Sequence, residues 1–193
     1  MAIVHNIAKR KLRGGDIALG FGLHHLRSSA APMLAAAAKH DYLMMDMEHG
    51  AFSVQEATQI CIASLAAGIP PIVRVCAGAL DEGTRLLDNG ALGIVVPHVD
   101  TKAQAQRVAD AFHYPPMGHR SWGGPPPVFG YMPPHVSEAQ KAINDDENAR
   151  RYIAMGSRYL SSGTDHSFIV SGSIERAKFY RDAAAEVRGT LSP

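Results

Sequence analysis

Short apolar runs alternate with stretches of helical spacing through the first 110 or so residues. Residues 16–23 (DIALGFGL) read as a strand. A helix over residues 28–39 follows, with Ser28 or Ser29 as its cap and Pro32 in its first turn. Residues 42–47 form a second apolar run. Ser53 then starts a helix whose apolar positions Val54, Ala57, Ile60, Cys61 and Leu65 keep the 3.6-residue period, and Gly68 ends it. The spacing repeats: a strand over 71–75, a helix over 80–89 stopped by Gly90, a strand over 92–96, and a helix over 101–112 that puts Ala105, Val108, Ala109 and Phe112 on one face. Four strand-then-helix units in about 100 residues predict an α/β fold with a parallel sheet of crossover connections.

The regularity stops at Tyr114. Residues 114–134 hold seven prolines and four glycines in 21 positions, too many for a helix or an interior strand. A loop this long inside a compact domain is usually functional. Beyond it the pattern predicts a short helix over 136–143, a helix from the acidic group Asp145, Asp146 and Glu147 to Met155 closed by Gly156, a strand over 158–162, a loop over 161–166 and a final helix over 174–187. That makes five strands in one domain spanning residues 1–193.

Candidate chemistry sits at the end of the second apolar run, in Asp46-Met47-Glu48-His49-Gly50. Parallel sheets place their chemistry at the carboxyl ends of strands. Asp46 and Glu48, two apart on an extended chain, point to one face, and His49 can turn back over them as a base, its imidazole titrating near neutrality. The bland alternative is a helix cap followed by a solvated histidine. Arg74, near the end of a buried strand, requires an anionic partner, either a carboxylate such as Asp46 or a bound anion. His24, His25, His98, His113 and His119 read as solvated or capping residues.

Composition narrows the classes. The chain is 46% hydrophobic, with 19 Lys and Arg against 18 Asp and Glu. That gives a core and no net field for nucleic acid. No apolar run approaches the roughly 18 residues of a membrane span, and the first residues lack a signal-peptide core, so the expected place is the cytoplasm. Cys61 and Cys76 read as small buried hydrophobes. Gly20-Phe21-Gly22 completes no dinucleotide fingerprint, and no phosphate-binding loop occurs.

These motifs resemble the HpcH/HpaI aldolase family, the metal-dependent class II pyruvate aldolases. Asp46-Met47-Glu48-His49 is similar to the family's D-x-E-H, Ile72-Val73-Arg74-Val75 to its V-V-R strand, Leu86-Leu87-Asp88-Asn89-Gly90 to L-L-D-x-G, Val95-Val96-Pro97 to the V-P of its fourth strand, and residues 114–121 to Y-P-P-x-G-x-R. The ending from Ala149-Arg150-Arg151-Tyr152 to Gly163-Thr164-Asp165 resembles A-R-R-Y…G-x-D. The resemblance implies a TIM-barrel-derived (β/α)₈ fold and reversible cleavage of a 4-hydroxy-2-oxo acid to pyruvate and an aldehyde. It implies His49 as base, paired with Asp88, and Arg74 on the substrate carboxylate and enolate. Asp46, Glu48 and Arg120 would support them in a homo-oligomer.

One family segment has no counterpart. Between the helices at 136–143 and 148–155 the family carries the Glu and Asp that ligate Mg²⁺ or Mn²⁺. Here residues 144–147 join the flanks directly, so about three of the eight barrel strands are lacking. The expectation is therefore weak or absent metal binding, with no metal ligand assigned, and exposed sheet edges that seek partners. Asp165 and His166 with Asp46 and Glu48 form the only substitute ligand set the sequence suggests. The opposing expectation from a different class is a non-catalytic truncated paralogue that binds a small carboxylate or associates with full-length subunits.

Overall fold

The computed structural model describes residues 5–124, 126–131, 150–151, 153–156 and 165–191. The chain divides into two compact units, Met1–Pro134 and His135–Pro193.

In the first unit the elements run α1 (Ile7–Arg13), β1 (Gly20–Leu23), α2 (Ala31–Ala37), β2 (Tyr42–Asp46), α3 (Val54–Ala66), β3 (Pro71–Arg74), α4 (Leu80–Asp88), β4 (Gly93–Val95) and α5 (Lys102–Phe112), then a 3₁₀ turn at Pro127–Phe129. The strands form one parallel sheet in sequence order, β1-β2-β3-β4. The four predicted units are present. The strand expected over 158–162, the helix over 136–143 and the junction at 144–147 lie outside the described residues.

Local chemistry sets the helix boundaries. Ser53 starts α3 with a reciprocal capping box: its hydroxyl accepts the Glu56 N–H while the Glu56 carboxylate accepts the Ser53 N–H at 2.8 Å. Thr101 and Gln104 repeat the device at α5. The start of α2 differs from expectation. Ser28 Oγ accepts from Ala30 N, which leaves Ala30 as an N-cap without a side-chain bond. Helix α1, which the pattern does not announce, is capped by Asn6 and tied to the sheet by Lys11, whose ammonium lies 2.8 Å from Asp41. Asp41 also accepts the Leu19 N–H. That backbone bond, with Lys11, holds its carboxyl below the usual range. The same bond ends the sheet's reach toward the N-terminus: β1 begins at Gly20 rather than at Asp16, and Ile17 and Leu19 are exposed.

The parallel register sorts the strand residues onto two faces. Leu43 stands beside Pro71, and Met45 beside Val73 and Leu23, and all of them are buried in the core with Ala31, Ala35, Ala57, Ile60, Cys61 and Leu86. Each large apolar side chain taken wholly from water there contributes roughly 1.5–3 kcal/mol. The opposite face carries Tyr42, Met44, Asp46, Ile72, Arg74 and Val95, none of the apolar ones fully buried. Helix α5 buries no residue completely, and Ala105 is exposed, contrary to the predicted face. It is held instead by Phe112, whose ring lies where a Cβ on Gly83 of α4 would be, 2.7 Å away. Cys76, just past β3, is exposed rather than buried, with its thiol 3.3 Å from Met47 O. Burial pushes the Cys61 thiol up to about 12.

In the second unit, residues 150–151 and 153–154 are helical and Gly156 follows in the left-handed region, φ 99°. The C-terminal helix spans Asp165–Leu191, longer than predicted, so Asp165 and His166 start this helix instead of sitting in a loop. No helix among the described residues is long and apolar enough to cross a membrane.

Candidate active site

Asp46 and Arg74 are the last residues of neighbouring strands and stand opposite each other in register. The guanidinium donates to Asp46 through two nitrogens, Nε to Oδ1 at 3.0 Å and Nη2 to Oδ2 at 2.5 Å. Asp46 Oδ1 also accepts the N–H groups of Glu48 and His49, so the chain folds back over the carboxylate as it leaves β2. The Arg74 fork holds the Asp46 carboxyl well below the usual carboxylate range, against the opposing effect of burial, and the two backbone donors help. Asp46 in turn raises the pKa of Arg74. The Arg74 fork is taken by Asp46, and Nη1 makes no hydrogen bond among the described residues.

Glu48 lies beside this pair. Its Oε2 is 3.4 Å from Arg74 Nε and 3.6 Å from His49 Nε2, and its Oε1 is 3.3 Å from His98 Nε2. The Glu48 side chain is only 12% exposed, whereas His49 and His98 are largely open to solvent. His24, the residue after β1, places Nδ1 3.4 Å from Asp46 Oδ2. Four successive strand ends thus supply the cluster: His24 from β1, Asp46 with Glu48 and His49 from β2, Arg74 from β3 and His98 from β4. Gly50 lets the β2 loop close, because a Cβ there would stand 2.1 Å from Asp46 O and 2.7 Å from His24 O.

The sequence reads His24 and His98 as solvated or capping, and both side chains are indeed mostly exposed, 53% and 72%, yet each also faces a carboxylate of this cluster. The signal was available: each follows a strand end as His49 does. His98 carries a further mark, φ 56° in a non-glycine residue, a conformation that costs of order 1 kcal/mol and concentrates at functional sites. His113, by contrast, does cap: its Nδ1 lies 2.9 Å from Ala109 O at the end of α5.

Asp88 and Arg120 form a separate pair. Asp88 ends α4, and Arg120 Nη2 donates to its Oδ1 at 2.5 Å. Arg120 also stacks over the Tyr114 ring, 4.7 Å to its centroid, and Tyr114 lies against Trp122. Burial raises the Tyr114 pKa. The pair fastens residues 114–122 to the end of α4. No hydrogen bond or ion pair joins Asp88 to His49 among the described residues.

The cluster does not suit a hard divalent ion. Among the described residues no three His, Cys, Asp or Glu side chains stand together as a metal group. Asp46 is saturated by Arg74 and two N–H groups, and both Glu48 oxygens face nitrogen, whereas Mg²⁺ and Mn²⁺ want several free oxygens. The side chains of Asp165 and His166 lie outside the described residues.

The family model for HpcH/HpaI aldolase/citrate lyase matches residues 24–171, more than half of the chain. The chain belongs to this family. Among curated proteins it is 35% identical over 133 residues to a 4-hydroxy-4-methyl-2-oxoglutarate aldolase of Hapsidospora irregularis, covering 67% of this chain and 48% of that protein. It is 34% identical over 122 residues to a 2-keto-3-deoxy-L-rhamnonate aldolase of Shigella sonnei, covering 63% and 45%. Among solved structures, the HpcH/HpaI aldolase of Desulfitobacterium hafniense DCB-2 superposes with a TM-score of 0.63 at 28% identity, over 71% of this chain and 52% of that one. The chain spans about half the length of the curated relatives it matches. The four-stranded parallel sheet is part of the TIM-barrel-like fold of these aldolases.

Proposed function

We propose that this chain is a carbon–carbon lyase of the pyruvate aldolase type, reversibly cleaving a 4-hydroxy-2-oxo acid to pyruvate and an aldehyde. The supporting observation is the Asp46–Arg74 pair: a guanidinium fixed by a buried carboxylate at the strand ends, with Nη1 making no hydrogen bond among the described residues. A fork held this way loses little freedom when it accepts a carboxylate or a developing enolate oxygen, so its charge acts in the transition state without reorganisation. His49 takes the proton of the C4 hydroxyl, the bond between C3 and C4 breaks, and its electron pair becomes the pyruvate enolate. His49, now protonated, returns that proton to C3, which completes pyruvate and leaves the imidazole neutral again. Glu48 orients His49, Asp46 orients Arg74, and Asp88 with Arg120 fastens the proline-rich loop near the site. The family is metal-dependent, and the Lewis acid it uses would stabilise enolate charge. The residues described here do not provide its ligands, so weak or absent Mg²⁺ and Mn²⁺ binding is part of the proposal and no step depends on the ion. The setting is a cytoplasmic homo-oligomer in which neighbouring chains cover the sheet edges of β1 and β4.

The coverage of about half of each relative favours a second reading, a non-catalytic paralogue that binds a small carboxylate or joins full-length subunits. One experiment separates the two. Pyruvate release from a 4-hydroxy-2-oxo acid with a secondary C4 alcohol, followed with and without Mn²⁺ and with metal content measured on the same sample, supports the lyase if it occurs and vanishes in Arg74→Met and His49→Asn. Release no faster than the buffer rate, with oxalate still bound, establishes the second reading.

A further inference from the structure

The charge at the strand ends has the wrong sign for the proposed ligand. Two nearly buried carboxylates, Asp46 and Glu48, face one permanent cation, Arg74. With every histidine neutral the cluster carries one net negative charge, and the 2-oxo acid of the proposed lyase is itself an anion. Its carboxylate on the free edge of Arg74 would be a third negative group around a single guanidinium, in a place where two of them are already withdrawn from water. A divalent ion would reverse the sign, but the described residues do not offer it free oxygens.

The rim holds imidazoles instead. His24, after β1, places Nδ1 3.4 Å from Asp46 Oδ2; His49, after β2, places Nε2 3.6 Å from Glu48 Oε2; His98, after β4, places Nε2 3.3 Å from Glu48 Oε1. The His25 ring lies beside His24, and the Cys76 thiol after β3 is turned to Met47 O. None of the three approaches is a hydrogen bond, and none fixes a ring. They mark where the charge of an added proton would fall: beside a carboxylate, on a side chain largely open to solvent. An imidazole is the side chain whose charge changes between about pH 5 and 8.

We propose that the site takes up protons with its ligand: a carboxylate binds at Arg74 together with protonation of His24 and His98, whose charge turns the cluster from net negative to net positive. His49 also faces Glu48, but a protonated His49 cannot take the proton of the substrate hydroxyl, so in the productive complex the added charge belongs to the other two. Linkage fixes the direction: a ligand that favours the protonated form binds more tightly as pH falls through the imidazole range. The inference rests on the lyase reading for the identity of the ligand, whereas proton uptake is a property of binding and needs no turnover.

The test is calorimetric titration of oxalate into chelator-treated protein, in two buffers of different ionisation heat, whose difference counts the protons taken up. The expected result for the wild type is net proton uptake, with an affinity about tenfold weaker at about pH 8 than at about pH 6, the change that accompanies one coupled imidazole. His24→Gln combined with His98→Gln, both exposed positions, loses most of the uptake, and its affinity at the lower pH falls about tenfold, to the wild-type value at the higher pH. His119→Gln, outside the cluster, changes neither, and Arg74→Met binds no oxalate. Oxalate bound with equal heat in both buffers and equal affinity at both pH values overturns the proposal and leaves Arg74 as an anion site. Uptake undiminished in the double variant overturns it as well, because the proton then goes elsewhere. Oxalate that does not bind the wild type at the lower pH overturns both the proposal and the role given to Arg74 in the lyase. Proton-coupled binding by a chain that releases no pyruvate upholds this inference and favours the non-catalytic reading.

Discussion

Two arginine–aspartate pairs in the first unit are built from the same atoms and turned opposite ways. In Arg74–Asp46 the carboxylate is the buried member, with its side chain 4% exposed against 28% for the arginine. In Arg120–Asp88 the arginine is buried, 9% against 31%. The difference follows from where each pair stands. Asp46 is enclosed by its own loop and satisfied by two N–H groups, so the pair presents a cation to solvent at the strand ends. Arg120 lies under Tyr114 with a buried Nε that has no partner among the described residues, so that pair offers a carboxylate edge and fastens a loop. Under the proposed lyase reading the first arrangement would receive an anion; the second holds chain in place. An ion pair becomes a site through the member it leaves exposed.

The sharpest way to break this contrast is Asp46→Ala. Four donor contacts lose their acceptor and Arg74 keeps only the looser approach of Glu48 at 3.4 Å, so unfolding in urea should show a loss of about 3 kcal/mol, several hydrogen bonds of about 1 kcal/mol each being lost together. Gly50→Ala comes next. Its Cβ meets the carbonyls of Asp46 and His24, the loop must shift, and the loss should be about 1–3 kcal/mol, with His24 and His49 resonances displaced. Arg120→Ala should cost about 1–2 kcal/mol, because it removes a stacked, hydrogen-bonded side chain but also removes the orphaned Nε. The strand-end resonances should stay in place in that variant; if they move as in Gly50→Ala, the two pairs are not independent.

The smallest effect is on pH. Asp46 titrates in the folded chain below its unfolded value, so its contribution is complete above the ordinary carboxylate pKa, about 3.9, and is lost as pH falls through the lowered folded value. The wild type should therefore lose stability on acidification below pH of about 4 more steeply than Asp46→Asn, measured by thermal unfolding. Equal slopes would mean that Arg74 does not hold Asp46 in solution.

The sequence was readable where structure is local. Ser53 and Thr101 announce α3 and α5 because a capping box needs only four residues, and apolar spacing places all four strands. The motif around Asp46, Glu48 and His49 was recognisable for the same reason. Non-local choices were only partly readable: the need of Arg74 for a carboxylate such as Asp46 was legible, the pairing geometry was not. Asp46 and Arg74 are 28 residues apart, and only the register of β2 against β3 puts them opposite each other. Asp88 and Arg120 are 32 apart, and the loop between α5 and the 3₁₀ turn brings them together. Helix α2 lost its serine cap to a competing turn at Ser28.

The central claim is that the strand ends carrying Asp46, Glu48, His49 and Arg74 handle a pyruvate enolate. The direct measurement is exchange of the pyruvate methyl protons with deuterium in heavy water, followed by proton NMR, which needs no aldehyde and reports enolate formation alone. The account predicts exchange above the buffer rate in the wild type, lost by at least about a hundredfold in His49→Asn, the lower end of what a positioned base contributes, and retained in Arg120→Ala. Exchange equal to buffer in the wild type, or unchanged in His49→Asn, would contradict it.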